Sequence, residues 1–446
     1  MPRLSNAGGL LAPALWHDRT MRATSAWRLL WSVLLAACGG EAGGQGGDAG
    51  PDAPTGARPH PLYPALDLDA LPGDGGGAIG RCQPPALPTT TRQVTITTTG
   101  AQAGRDVLVA CATAGTAVTV PDAAGRIGTL DLGDVDDCDL SLGAAVVVDL
   151  LYVGHLPGPV RAPSHRVRVR GGQLGAVMVD PQSTDLVLDG VVINTGVRPA
   201  AQRSSVAIYL LGDRAVADGY VARVAVVDSI IRMVATEPDA AGNRDGCAYL
   251  ADGARDVFFA NNNVVTAGNR NSWGFRISGG DNALFVDNAV RVSFHKLIRM
   301  NDGPVDYVYV KGGTWMREAT LTAGGLAAND SWAQLGDLGT DHVYLHDAAV
   351  WMLSTEPVAF GASFGPGQVG KRWEARRIDW HARSAGVVSD AHLQGLADGC
   401  TAGATCDYGV GSHRYTYAAD LALPTMAWRD LPTIAVDDPD QQPIAP

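Results

Sequence analysis

The 446-residue chain is charged at only 18% of positions, carries a formal charge of −12 and has no long basic run. This balance excludes nucleic acid as the leading partner, because phosphate recognition needs clustered Lys and Arg. The length alone would allow several domains. However, 55 glycines with few charges fit a repeat array, rich in tight turns, that grows lengthwise around one core.

The first predicted element is a targeting segment, residues 1–37. Residues 1–20 carry no recognisable pattern, and Met21 reads as the start. From there the chain runs MRATSAWRLLWSVLLAACGGE, with Arg22 and Arg28 before an apolar stretch from Leu29 to Ala37. That stretch is too short to span a bilayer, which needs about 20 residues. Leu35-Ala36-Ala37-Cys38 resembles the lipobox of a bacterial lipoprotein signal. The resemblance implies cleavage before Cys38 and a diacylglycerol on its thiol, an anchor made firm by several acyl chains. By the same resemblance, Gly39 in place of Asp after the cysteine favours delivery to the outer membrane. Residues 38–60, rich in Gly, Ala, Asp and Pro, read as a flexible tether between lipid and folded body.

Residues 61–165 hold strand-like stretches in loose register, QVTITTT, DVLVACA and AAVVVDLLYVG, and read as a cap with the first rungs. Residues 166–385 are the regular part. The phrase DLVLDGVVI returns as VAVVDSIIR, DVFFANNNVV, NALFVDNAVRV, DYVYVKGGTWM and DHVYLHDAAVWM. Aligned on the residue before each turn-like pair, Leu188, Val227, Ala260, Val286, Val310 and Leu345 fall at steps of 39, 33, 26, 24 and 35 residues. A second phrase interleaves with it and is anchored at Leu210, Leu250, Ile277, Met300 and Leu335. Two strands per period, each closed by Gly, Asn or Asp, predict an all-β fold: a right-handed parallel β-helix, a solenoid with capped ends. Sandwiches do not keep two interleaved phrases at so short a step, and propeller blades need about 40 residues or more. Residues 386–446 lose the period and read as a cap and a Pro-punctuated tail.

Apart from Cys38, Cys82, Cys111, Cys138, Cys247, Cys400 and Cys406 remain, enough for three disulfides in an exported chain. Cys400 and Cys406 bracket a small loop and form the pair most readily predicted. Some pairing among Cys82, Cys111 and Cys138 would staple the first rungs, and Cys247 reads as a buried free thiol. No CxxC pair or His/Cys cluster has zinc spacing.

Stacked strands bring equivalent residues within about 4.8 Å, so chemistry is sought in columns. With the second set of anchors pointing inward, Tyr209, Tyr249, Arg276, Arg299 and Gln334 form one outward column. Asp252 and Asp302 fall in a parallel row, while His295 and Lys296 lie just before the Arg299 position. Guanidiniums bind sugar carboxylates bidentately and Tyr faces stack on sugar rings, which suits an acidic polysaccharide. Outward Arg and Asp on such a face can equally be ion-paired for solubility. Asp134, Asp136, Asp137 and Asp139 offer oxygens of the kind calcium takes, but without EF-hand spacing, and read first as a solvated acidic turn. Asn261-Asn262-Asn263 reads as corner asparagines bonding their own backbone. Asp341-His342 and His346-Asp347 are neighbours in sequence, which does not make a triad.

Through NNNVV, FVDNAVRV and their flanking strands, residues 93–385 resemble the pectate-lyase-like superfamily of right-handed parallel β-helices. The resemblance implies lyases, hydrolases, epimerases or non-catalytic surface proteins. Its lyases use a Lys or Arg base with calcium on the substrate carboxylate, roles that Lys296, Arg299 and Arg276 match by residue type. Neither a vWiDH-like lyase segment nor the hydrolase set NTD, DD, GHG and RIK is present, so the likeness carries fold more than activity. The expected function is envelope-bound recognition of acidic polysaccharide, with lyase-type cleavage. A structural or adhesive protein is the alternative, and a hydrolase using Asp252 and Asp302 ranks behind both.

Overall fold

A computed structural model describes residues 58–71, 82–96, 107–109, 111, 113–154, 163–197, 206–213, 219–234, 248–250, 253–267, 273–277, 280–292, 296–300, 307–317, 333–334, 342–352, 372–382, 405–408 and 413–416. The described residues are strands joined by short turns, with three single-turn 3-10 segments and no α-helix. Apart from one small antiparallel hairpin, the strands all belong to one large, parallel-paired sheet system. The protein is therefore all-β.

From Val177–Val179 to Thr314–Arg317 pairing follows a simple rule: each strand bonds to the third described strand after it. Thr184–Asp189, Val221–Val227, Ala254–Ala260, Gly280–Val286, Tyr307–Lys311 and His342–His346 form the first ladder. Val192–Asn194, Ile230–Val234, Asn263–Ala267, Ala289–Val292, Thr314–Arg317 and Ala349–Met352 form the second. Val177–Val179, Ile208–Leu210, Ala248–Leu250, Trp273–Ile277, Lys296–Met300 and Ala333–Gln334 form the third. Alternation decides which side chains face in: Leu188, Ile193 and Leu210, one from each ladder, share a single buried cluster. Its early layers are Val and Leu, and its later layers are filled by Phe259, Phe275, Phe285, Trp315 and Trp380.

The first ladder corrects the alignment read from sequence. Leu188 pairs with Val226, not Val227, and Val286 pairs with Lys311, not Val310. The inward column is Leu188, Val226, Phe259, Phe285, Val310 and Leu345, while Val227, Ala260 and Val286 face outward. The cause lies at the corner. One left-handed residue closes each strand: Gly190, Asp228, Asn261, Asp287, Gly312, Asp347 and Arg377 all have φ between 50° and 66°. Gly adopts that region freely, and Asn and Asp more readily than most. The turn pair therefore begins at Gly190 and Gly312, one residue later than the alignment assumed.

Just inside this corner the asparagines act as expected. Asn262 donates to the Val226 carbonyl at 2.8 Å and accepts from the Ser229 amide at 3.0 Å. Asn288 repeats the pattern, donating to the Phe259 carbonyl at 2.9 Å and accepting from the Asn262 amide at 3.1 Å. Both are fully buried, so each amide satisfies backbone groups that would otherwise be orphaned.

The outward face of the first ladder is apolar at its centre and covered by residues 58–71 and Cys82. Pro59–His60 and Tyr63–Asp67 form the antiparallel hairpin. Leu66, Leu68, Leu71 and Cys82 pack on Val187, Ala225, Phe258 and Leu284. The body thus begins before residue 61, because His60 is 1% exposed and stacks on Phe258 at 3.9 Å between ring centroids. Cys111 and Cys138 form a disulfide with Cα atoms 5.8 Å apart, and Cys82 is a buried free thiol. Cys38, Cys247 and Cys400 lie outside the described residues, and Cys406 is described only as backbone in Thr405–Tyr408, so the Cys400–Cys406 pair lies outside them too.

Burial pushes the His60 imidazole down to about 4 from its ordinary 6.5. The folded state thus holds a neutral ring that the unfolded chain would protonate between those values. Stability is expected to be complete above about pH 6.5 and to fall by about 3 kcal/mol as pH drops toward 4. Denaturation midpoints at several pH values check this. His60→Phe, which keeps the stack and removes the titration, should lose less stability over that window than the parent; an equal loss would refute the assignment.

Candidate functional site

The third ladder supplies the candidate site. Its register places Tyr209 opposite Tyr249, Tyr249 opposite Arg276, Arg276 opposite Arg299, and Arg299 opposite Gln334. These five residues stand on five successive strands, so the column spans four steps of about 4.8 Å. Tyr209 and Arg276 are half-buried between flanking residues that are fully buried, Ile208 and Leu210 in one strand and Phe275 and Ile277 in the other. An alternation of this kind places both side chains on the outer face. Tyr249, Lys296, Arg299 and Gln334 are described as backbone only. Lys296 stands opposite Trp273, outside the column. His295, Asp252 and Asp302 lie outside the described residues.

The column also continues toward the amino terminus, which the sequence reading missed. Tyr209 pairs with Met178, Met178 with Tyr152, and Tyr152 with Asp131. The Tyr152 hydroxyl donates to Asp180 Oδ1 at 2.9 Å, and both residues are buried. The signal was present: Tyr152-Val153-Gly154 has the aromatic–apolar–small order of Tyr249-Leu250-Ala251. It was hidden because Asp136–Val153 is one unbroken 18-residue strand that serves all three ladders. In register, the third ladder therefore runs through Asp131, Tyr152, Met178, Tyr209, Tyr249, Arg276 and Arg299.

A second polar group also escaped the sequence reading. Glu374, 2% exposed, has His346 Nε2 and Arg376 Nε each 3.4 Å from its Oε2. Tyr309 and Tyr344 set their rings edge-on to His346 at 5.5 and 5.9 Å. Burial lowers the His346 pKa against the upward pull of Glu374, and burial together with Asp347 raises that of Tyr309. His346 and Glu374 stand in adjacent columns of neighbouring strands, 28 residues apart in sequence, so nothing local announces the pair. His342 is a buried strand residue, as its sequence context implied.

The acidic turn does not fit calcium. Arg166 grips Asp137 through two hydrogen bonds of 2.7 and 2.9 Å and lies 3.6 Å from Asp136, while Arg170 pairs with Asp139 at 3.0 Å. Hydrogen bonding from Arg166 holds the Asp137 carboxyl below the usual range. Among the described residues, no group of three or more His, Cys, Asp or Glu is placed to hold a metal ion.

No protein-family model, curated protein or solved structure matches this chain. Any functional reading rests on the residues themselves.

Proposed function

We propose that the three ladders are the faces of a right-handed parallel β-helix, the hand that parallel crossovers strongly prefer. In this reading the chain is an exported lipoprotein, anchored through Cys38 and held at the outer membrane by the tether after it. Its third ladder recognises an acidic polysaccharide and cleaves it by elimination. The observation that carries the reading is the backbone register that places Tyr209, Tyr249, Arg276, Arg299 and Gln334 opposite one another on successive strands, two Tyr positions followed by two Arg positions. A linear uronate polymer laid across the strands would meet ring-stacking groups first and carboxylate-binding groups next.

In the cleavage step, Arg276 pairs with the uronate carboxylate and stabilises the negative charge that develops there. The base, Arg299, takes the proton on the carbon next to that carboxyl; Lys296, opposite Trp273, stands outside the column. The electron pair forms a carbon–carbon double bond as the glycosidic C–O bond breaks. Tyr249 donates a proton to the departing oxygen. The acidic turn is already ion-paired, so the reading puts carboxylate neutralisation on arginine rather than on a cation.

A structural or adhesive role is the second reading, favoured by the ion-paired arginines along the first ladder. Incubation of the purified chain with a panel of uronate polysaccharides, followed by ultraviolet absorbance of unsaturated ends, separates the two. The expected result is a signal on at least one polymer that drops at least a hundredfold in both Arg276→Ala and Arg299→Ala. Absence of cleavage and of binding on every polymer would move the conclusion to the structural role.

A further inference from the structure

The first ladder carries a second left-handed column, at the start of its strands rather than at their end. Gly115, Asp137, Arg166, Asp185, Arg223, Asp256 and Asn282 occupy equivalent positions in consecutive strands, all with φ between 54° and 70°. Charge alternates along it. Arg166 grips Asp137 with two hydrogen bonds, Arg223 grips Asp185 at 2.6 and 2.8 Å, and Asn282 donates to Asp256 at 2.9 Å.

The segment Cys82–Thr91 meets these carboxylates with backbone amides. Asp185 Oδ1 accepts from Ala86 at 2.9 Å and Asp137 Oδ1 accepts from Thr89 at 3.1 Å, while burial raises the Asp256 carboxyl pKa against the downward pull of the Asn282 side chain and the Gln83 amide. At Asp137 and Asp185 the oxygen that takes this amide is the one that takes the arginine Nε, so the same site recurs. The segment advances three residues for every two strands. It delivers Thr91 to the Gly115 carbonyl at 2.9 Å, where Arg92–Thr95 begins the first ladder.

The reason for this period is in the sequence QPPALPT. Pro84, Pro85 and Pro88 fix φ near −65°, and residues preceding proline are held extended. Such a segment favours polyproline II, with three residues per turn and about 9.3 Å per turn. Two strand spacings are about 9.6 Å. A polyproline helix therefore turns the same edge to the ladder at each alternate strand, where a carboxylate waits.

We propose that this alternating Asp/Arg column is a binding groove for a proline-rich polyproline-II segment, read through backbone amides at every third residue. Its resident ligand is residues 83–89 of this chain. Specificity comes from spacing: amide donors are needed at positions 83, 86 and 89, and prolines are accepted between them.

Amide hydrogen exchange on the full-length protein tests the period. Gln83, Ala86 and Thr89 are expected to exchange at least tenfold more slowly than Leu87 and Thr90. Uniform exchange across the segment would overturn the proposal. Ala86→Pro deletes the central donor, whereas Leu87→Pro, at an exposed position, deletes none of the three. The expected result is a tenfold or greater rise in proteolytic cutting of residues 82–91 for Ala86→Pro only. Strap release should also let the Ala86→Pro protein take up a labelled peptide of residues 83–91, which the parent should not. Equal behaviour of the two proline variants, or no uptake after release, would refute the groove. If Ala86→Pro does not fold, the exchange pattern of the parent decides alone.

Discussion

Asp185→Ala is expected to lower unfolding free energy by about 3 kcal/mol. Asp185 is 4% exposed and accepts four hydrogen bonds: two from Arg223, one from the Ala86 amide and one from the Thr184 hydroxyl. Burial pushes its carboxyl pKa up, but these donors together hold it below the ordinary value. Removing one member of such a pair leaves the other charge uncompensated, typically at about 3–5 kcal/mol. The lower end applies because the Arg223 side chain is 35% exposed and water reaches it. The folded pKa being depressed, this contribution is present above the unfolded carboxylate pKa and is lost as pH falls through the folded value. Asp281→Ala is the control. Its pair with Arg255 has the same chemistry at 3.1 Å, but both side chains are about two-fifths exposed. Exposed pairs contribute about 1 kcal/mol or less. Chemical denaturation of both variants checks the contrast, and similar losses would show that burial does not govern these pairs.

Phe285→Ala is expected to cost about 3–5 kcal/mol, the range for emptying a fully buried aromatic position. Phe285 is completely buried, with Phe275, Phe259 and Trp315 at 4.6, 5.7 and 6.5 Å between ring centroids. Those rings come from two further first-ladder and third-ladder strands and one second-ladder strand, so the cavity would open where all three ladders meet. Phe258→Ala makes the comparison. Phe258 faces outward under His60 and the hairpin, so its loss should free the hairpin to proteolysis more than it lowers the global transition. A global loss for Phe258→Ala as large as that for Phe285→Ala would contradict this division between core and cover.

How much of this was legible in the sequence depends on the range of the cause. The alternation of Ile208, Tyr209 and Leu210, or of Phe275, Arg276 and Ile277, is local and sets the outward column without reference to other strands. The step between the second set of anchors then sufficed to align Tyr209 through Gln334. The first set misled by one residue. Asp189-Gly190 and Asp228-Ser229 look alike as turn pairs, yet the left-handed residue is the second of one pair and the first of the other. A single-residue slip of that kind exchanges inward and outward faces.

The sequence by itself determined the all-β character, the parallel stacking of interleaved phrases and the residue types presented by each strand, since period-two patterning and turn chemistry act over a few residues. Only the tertiary structure decided which arginines are already satisfied. Arg166, Arg170 and Arg223 find carboxylates 29, 31 and 38 residues away, through the ladder and not through the chain. It alone decided, too, that residues 58–71 and 82–91 lie along the first ladder, because proline period and strand spacing meet only after the strands have stacked. Contacts made across stacked strands depend on insertion lengths between them, and no local pattern encodes those.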